Sequence, residues 1–234
     1  MKLRKIIFAF ASVFLMQNAF SKSVEEIFDS EIYKSKEISI PYRFSHFNES
    51  ESDKAVLIVF LHGHSACGND NRKQLTKDSL RNIERYVRKN KINAFVLAPQ
   101  CKENQQWTKI TENLNELISD FKEKNNCSEV FIAGESMGGI GAWLLIDEYP
   151  KLSKKTVIIA APPAKPNIKN LAKNQIFVVY GENDDIGSPS KIEPVIEKIK
   201  NADGKIESKK LSGLNHGDTC SQGLSEDVLD WMLK

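Results

Sequence analysis

The chain has 234 residues, enough for one domain with a sizeable core and barely enough for two. Its 33 basic and 31 acidic side chains leave a formal charge of +2, so no electrostatic footprint for nucleic acid is present. With 41% hydrophobic and 27% charged residues the composition is ordinary for a globular protein, and no internal repeat or low-complexity linker interrupts it.

The N-terminus differs from the rest. Lys2, Arg4 and Lys5 precede an uncharged run from Ile6 to Met16, and the small residues Ala19 and Ser21 flank Phe20. This is the three-part pattern of a secretory signal peptide, expected over residues 1–21 with cleavage after Ser21 or Ala19. The apolar run falls short of the ~20 residues that a membrane-spanning helix needs. The expectation is therefore a secreted or periplasmic protein, with one domain over 22–234 and no stable membrane insertion after cleavage. No cysteine sits at the cut, so lipoprotein attachment is not indicated.

Beyond it, Glu37 to Phe44 alternates like an edge strand, a position that tolerates Pro41. Five apolar runs follow: Ala55–Leu61, Ala94–Ala98, Val130–Ala133, Thr156–Ala161 and Ile176–Tyr180. Runs without alternation suit strands buried on both faces of a parallel sheet. Between them the spacing predicts helices over Leu75–Lys89, Thr111–Phe121, Ile140–Glu148 and Pro189–Lys200, and a last one over Ser225–Leu233 with Ser225 as N-cap. Strands alternating with helices predict an α/β domain with a mostly parallel central sheet flanked by helices. In such sheets ligands bind at the carboxyl ends of the strands, and every chemical signal in this chain follows a strand.

The strongest signal is Gly134-Glu135-Ser136-Met137-Gly138, between a buried strand and a helix. A serine hydroxyl attacks only when exposed beside a base, and a sharp glycine-flanked turn exposes it; this is the nucleophile elbow of the α/β-hydrolase fold. The alternative is a tight turn that binds an anion at a helix N-terminus. His62-Gly63-His64 follows the first buried strand, where this fold draws one oxyanion donor; the backbone N–H groups of His64 and Met137 are the expected pair. The rival reading, His62 and His64 as metal ligands, lacks a companion cluster at ligand spacing, and His62 is read as a brace for its loop. Gly181-Glu182-Asn183-Asp184-Asp185 offers the carboxylate that orients a histidine, Asp184 first and Asp185 as competitor. His216 is the histidine that lies after the acid, in the chain order of this fold.

Ile40–Phe44, Phe60–Asn71 (FLHGHSACGNDN), Leu97–Cys101 (LAPQC) with Trp107, Gly134–Trp143, Tyr180–Asp185 and Leu214–Gly217 together resemble exported esterases of the predicted-peptidase group, relatives of polyhydroxybutyrate depolymerases and feruloyl esterases. The resemblance spans nearly the whole expected mature chain. It implies Ser136, Asp184 and His216 as triad, His64 and Met137 as oxyanion donors, and Trp107 near the substrate pocket, with no metal or cofactor. Two departures stand out: Tyr180 replaces a histidine usual in the acid loop, and the segment after the acid is stretched to Ile186-Gly187-Ser188-Pro189. No insertion is large enough to form a lid, which suits accessible esters, of small molecules or linked to carbohydrate. Three functions compete: a serine esterase, a serine peptidase of the same fold, and a non-catalytic binding protein on a hydrolase scaffold.

Export would permit disulfides among Cys67, Cys101, Cys127 and Cys220. Four cysteines allow three complete pairings, and free buried thiols are the alternative. The expected bridge is Cys67–Cys101, whose residues follow neighbouring strands at one end of the sheet. Cys220 could replace either partner, and Cys127 is placed at the opposite end.

Overall fold

The computed structural model describes residues 24–35 and 38–234, so the expected signal peptide lies outside the described residues. The strands are β1 (Asp29–Lys34), β2 (Ser39–Phe47), β3 (Val56–Leu61), β4 (Ala94–Pro99), β5 (Val130–Glu135), β6 (Lys155–Ile159), β7 (Gln175–Gly181) and β8 (Lys205–Leu211). They form one sheet in the order β1-β2-β4-β3-β5-β6-β7-β8. β2 runs antiparallel to both its neighbours, and every pairing from β4 to β8 is parallel.

The five apolar runs become β3 to β7, the middle of this sheet. β3 shows why they lack alternation. Leu57, Val59 and Leu61 enter one hydrophobic cluster, Ile58 and Phe60 the other, and all five are fully buried. The helices are α1 (Val24–Ile27), α2 (Asp78–Lys89), α3 (Thr111–Lys124), α4 (Met137–Glu148), α5 (Ile168–Leu171), α6 (Pro189–Asn201), α7 (His216–Gln222) and α8 (Glu226–Leu233). Leu114, Leu117, Trp143, Ile146, Ile192 and Ile196 bring α3, α4 and α6 onto the first cluster. Leu80, Ile83, Val87, Val228 and Met232 bring α2 and α8 onto the second.

The structure differs from the expectations at three places. β2 is not the edge: β1 pairs outside it, with Ile32 opposite Pro41. Pro41 is tolerated because it sits one residue past the last β2–β4 pair, Tyr42 opposite Pro99. The helix expected from Leu75 is a 3-10 turn, Lys73–Thr76, followed by α2. Ser225 occupies the N-cap of α8, but its hydroxyl donates to the Asp227 carboxylate at 2.6 Å and caps no backbone N–H. Among the described residues no helix is long and apolar enough to cross a membrane.

Candidate active site

Ser136 stands where β5 turns into α4, with φ 52° and ψ −120°, a conformation that costs a non-glycine residue of order 1–3 kcal/mol. The turn is held from both sides. The Ser136 N–H donates to Ile159 O at 2.9 Å, and its carbonyl accepts from Ile140 N at 3.0 Å. Two glycines make the turn possible. A Cβ on Gly134 would lie 2.4 Å from Gly138 O, and one on Gly138 would lie 2.0 Å from Leu61 O. Bare backbone at these positions lets α4 press onto the end of β3.

This elbow aims the Ser136 hydroxyl at His216, with Oγ 2.8 Å from Nε2. His216 opens α7, whose N-cap Asn215 accepts the Asp218 N–H. The other ring nitrogen, Nδ1, lies 3.0 Å from both Oδ1 and Oδ2 of Asp184. The Asp184 side chain is fully buried, and Oδ1 also accepts the N–H groups of Ile186 (2.9 Å) and Gly187 (2.7 Å). The stretched segment after the acid therefore wraps the carboxylate and holds it. Asp185, the sequence competitor, is exposed, and its backbone carbonyl accepts from Lys191. So three side chains from distant stretches, Ser136, His216 and Asp184, form one hydrogen-bonded chain.

His64 begins the 3-10 turn after β3, and Met137 is the first residue of α4. Among the described residues neither backbone N–H is spent on another group, as the first turn of a helix leaves its donors free. His62 is fully buried and braces the loop. Its Nδ1 donates to Gly63 O (2.7 Å) and its Nε2 accepts the Cys101 N–H (3.0 Å). With both ring nitrogens engaged, it has no lone pair for a metal, and no group of three His, Cys, Asp or Glu among the described residues is arranged to hold one. Burial lowers its pKa to about 4, which keeps the ring neutral near pH 7.

Trp107 corrects an expectation. It does not line the cleft: it is fully buried, donates its indole N–H to His62 O at 3.0 Å and packs edge-to-face on the His62 ring. A Cβ on Gly141 would meet it at 2.5 Å, so it fills the space between α4 and the loop after β3. The family resemblance places this residue near the pocket, but its indole N–H finds its partner inward.

The cleft over Ser136 has a volume of about 490 Å³. Its walls are strand-end loops and first turns: Gly63, His64 and Ser65; Thr76, Lys77 and Asp78; Glu135; Ile186; and Gly217, Cys220 and Ser221. Ile186, half exposed, is the one large apolar side chain among them. Cys220 Sγ lies 4.0 Å from His216 Nε2, and burial with the nearby Glu135 and Asp184 pushes its thiol up to about 12, so it stays protonated and lines the wall. Lys77 and Ser79 carried no signal in the sequence, because the start of α2 reaches the elbow only through the tertiary fold. A larger hollow of about 770 Å³, lined by Lys122, Cys127, Tyr149 and Lys151 among others, contains none of these groups.

The structure contains four free cysteines. Cys67 and Cys101 are nevertheless hydrogen-bonded through their thiols, and the Gly68 N–H donates to Cys101 O at 3.1 Å. Burial raises both thiol pKa values, that of Cys101 to about 12.

A family described as serine aminopeptidase, S33, matches residues 100–176, a stretch that includes Ser136 and stops before Asp184 and His216. No curated protein matches the chain. Among solved structures, a thermostable esterase superposes with a TM-score of 0.82 at 23% identity over 89% of this chain and 63% of its own, so the chain spans under two thirds of that protein. Est1E from Butyrivibrio proteoclasticus gives 0.64 at 10% identity over 88% and 99%. The feruloyl esterase module from Clostridium thermocellum, complexed with sinapinate, gives 0.65 at 14% identity over 81% of each.

Proposed function

From the α/β-hydrolase fold of this chain, we propose that it is a serine hydrolase that cleaves carboxylic esters through an acyl-enzyme. The observation that carries this reading is the hydrogen-bonded chain from Ser136 Oγ through His216 to Asp184, mounted on a strained elbow beside free backbone donors. Ser136 Oγ attacks the ester carbonyl while His216 Nε2 takes its proton. Asp184 holds Nδ1–H and stabilises the imidazolium that forms. The negative charge on the tetrahedral oxygen falls to the N–H groups of His64 and Met137. His216 then returns the proton to the leaving alcohol. Water, activated by the same imidazole, releases the acid and restores Ser136.

The cleft favours small or polar esters, including those linked to carbohydrate. Ile186 is the one large apolar side chain in its lining, so a long acyl chain would find few side chains to pack against. An organophosphonate should label the protein at Ser136 and leave Ser136→Ala unlabelled. On p-nitrophenyl esters, kcat/KM should fall from short to long acyl chains, in keeping with a lining that has one large apolar side chain. Turnover of aminoacyl amides exceeding that of every ester would favour the second reading, a serine peptidase, which the family description supports.

Residues 1–21 are proposed as a cleaved export signal and 22–234 as the mature domain, and Cys67 and Cys101 as a pair that bridges after export. N-terminal sequencing of the exported protein should begin at Lys22 or Phe20.

A further inference from the structure

The residue before the nucleophile has a buried carboxylate that the triad does not use. Glu135 ends β5 and is 3% exposed. A carboxylate in that position is costly unless donors surround it. Ser79 Oγ donates to Oε2 at 2.8 Å, Lys77 Nζ lies 3.9 Å from Oε1, and the backbone N–H of Gly63 donates to the same carboxylate. Burial pushes its pKa up, and these three partners pull it back towards the ionised form.

Gly63 connects this carboxylate to the chemistry. Its carbonyl accepts from His62 Nδ1 at 2.7 Å and from Ala66 N at 3.1 Å. That carbonyl and the His64 N–H belong to one planar peptide, so fixing the first aims the second. With Glu135 holding the N–H side of Gly63 and His62 the C=O side, both backbone dihedrals of Gly63 are pinned. The loop also rests on the elbow: a Cβ on Gly63 would lie 3.3 Å from Ser136 Cβ and 3.8 Å from Glu135 Cγ.

We propose that Glu135 is a positioning residue of this site: held by Lys77 and Ser79, it clamps the Gly63 peptide and thereby aims the His64 N–H at the oxyanion. Ser79 and Lys77, at the start of α2, anchor the clamp to the helix layer; the Ser79 hydroxyl also lies 3.2 Å from Cys220 O on the histidine side. The inference rests on the serine-hydrolase reading. It assigns no proton transfer to Glu135.

Glu135→Gln keeps the shape and one oxygen acceptor but replaces the other oxygen, the one facing either Ser79 or Lys77, with an amide N–H₂. Glu135→Leu removes the acceptor. Active sites are first counted by phosphonate titration, so that misfolded protein does not enter the rate. Per titrated site, Glu135→Leu should lose about 10- to 100-fold in kcat, with KM for a short ester within about twofold, and Glu135→Gln should fall between it and the parent. The inhibition constant of a trifluoromethyl ketone, which forms the tetrahedral adduct on Ser136, should rise by the same factor as kcat/KM falls. Ser79→Ala should move both in the same direction by less. Unchanged per-site kcat and ketone affinity in both Glu135 variants would overturn the proposal. If the parent protein neither turns over esters nor labels at Ser136, the underlying reading fails instead.

Discussion

At the scale of single residues, burial separates the two candidate acids. Asp184 and Asp185 are adjacent in sequence, yet one is enclosed with two backbone donors and the other is exposed. On the proposed mechanism Asp184→Asn lowers kcat by about ten-thousand-fold, because the amide favours the wrong imidazole tautomer. Asp185→Asn leaves it within about twofold, and steady-state rates on one ester, per titrated site, decide between them. His62 makes a separate prediction about acid. Its pKa falls from 6.5 to about 4 on folding, so the unfolded chain takes up a proton that the native protein refuses. The stability this group contributes is complete above about pH 6.5 and declines as the pH falls towards 4, by about 3 kcal/mol over the whole window. In His62→Asn, which has no such proton to bind, the deficit against the parent should shrink by that amount between pH 7 and pH 4 in urea titrations. A deficit independent of pH would assign the acid sensitivity to other groups.

At the scale of elements, the strands that were legible and those that were not differ in where they sit. β3 to β7 are apolar on both faces because helices cover both. β1 (DSEIYK) and β8 (KIESKKL) are the two edges, mostly exposed, and Ile206 is the one buried side chain in β8. Charge on an edge strand guards against pairing with another chain, and it erases the pattern by which a strand is recognised. The elbow is the reverse case, an element written almost completely in local residues. Gly138→Ala should cost about 3 kcal/mol or more, because its Cβ would meet the Leu61 backbone and either β3 or α4 must move. Gly213 has φ +71° and nothing within 4 Å, so Gly213→Ala carries only the left-handed backbone cost of about 1–2 kcal/mol. Urea unfolding of the pair measures the difference; equal losses would mean that the tight α4–β3 contact relaxes freely.

At the scale of the whole molecule, the loop after β3 and the loop after β4 are joined by several links at once: Cys101 N to His62, Trp107 to His62 O, Gly68 N to Cys101 O, and the two thiols. Oxidised glutathione should convert the Cys67 and Cys101 thiols to a disulfide while being reduced to two glutathione thiols. The closed loop should raise unfolding stability by ~3–4 kcal/mol. Cys67→Ser and Cys101→Ser should each abolish the gain, and peptide mapping without reduction should find this linked pair. A bridge containing Cys127, which lines the hollow away from the cleft, would contradict the placement of these loops.

Local residue order alone determined the parallel centre of the sheet, the elbow with Ser136 and the order of serine, acid and histidine. Each of these is encoded within a few consecutive residues, as unbroken apolar runs or as glycines that only a tight turn requires. Tertiary structure decided what depends on distant partners. It put Asp184 rather than Asp185 against His216, drew Trp107 into the core to brace His62, and brought Ser79 and Lys77 from α2 onto Glu135. Whether a polar side chain faces a cleft or a buried partner is settled by the donors and acceptors that packing supplies, and those come from parts of the chain that no local pattern connects.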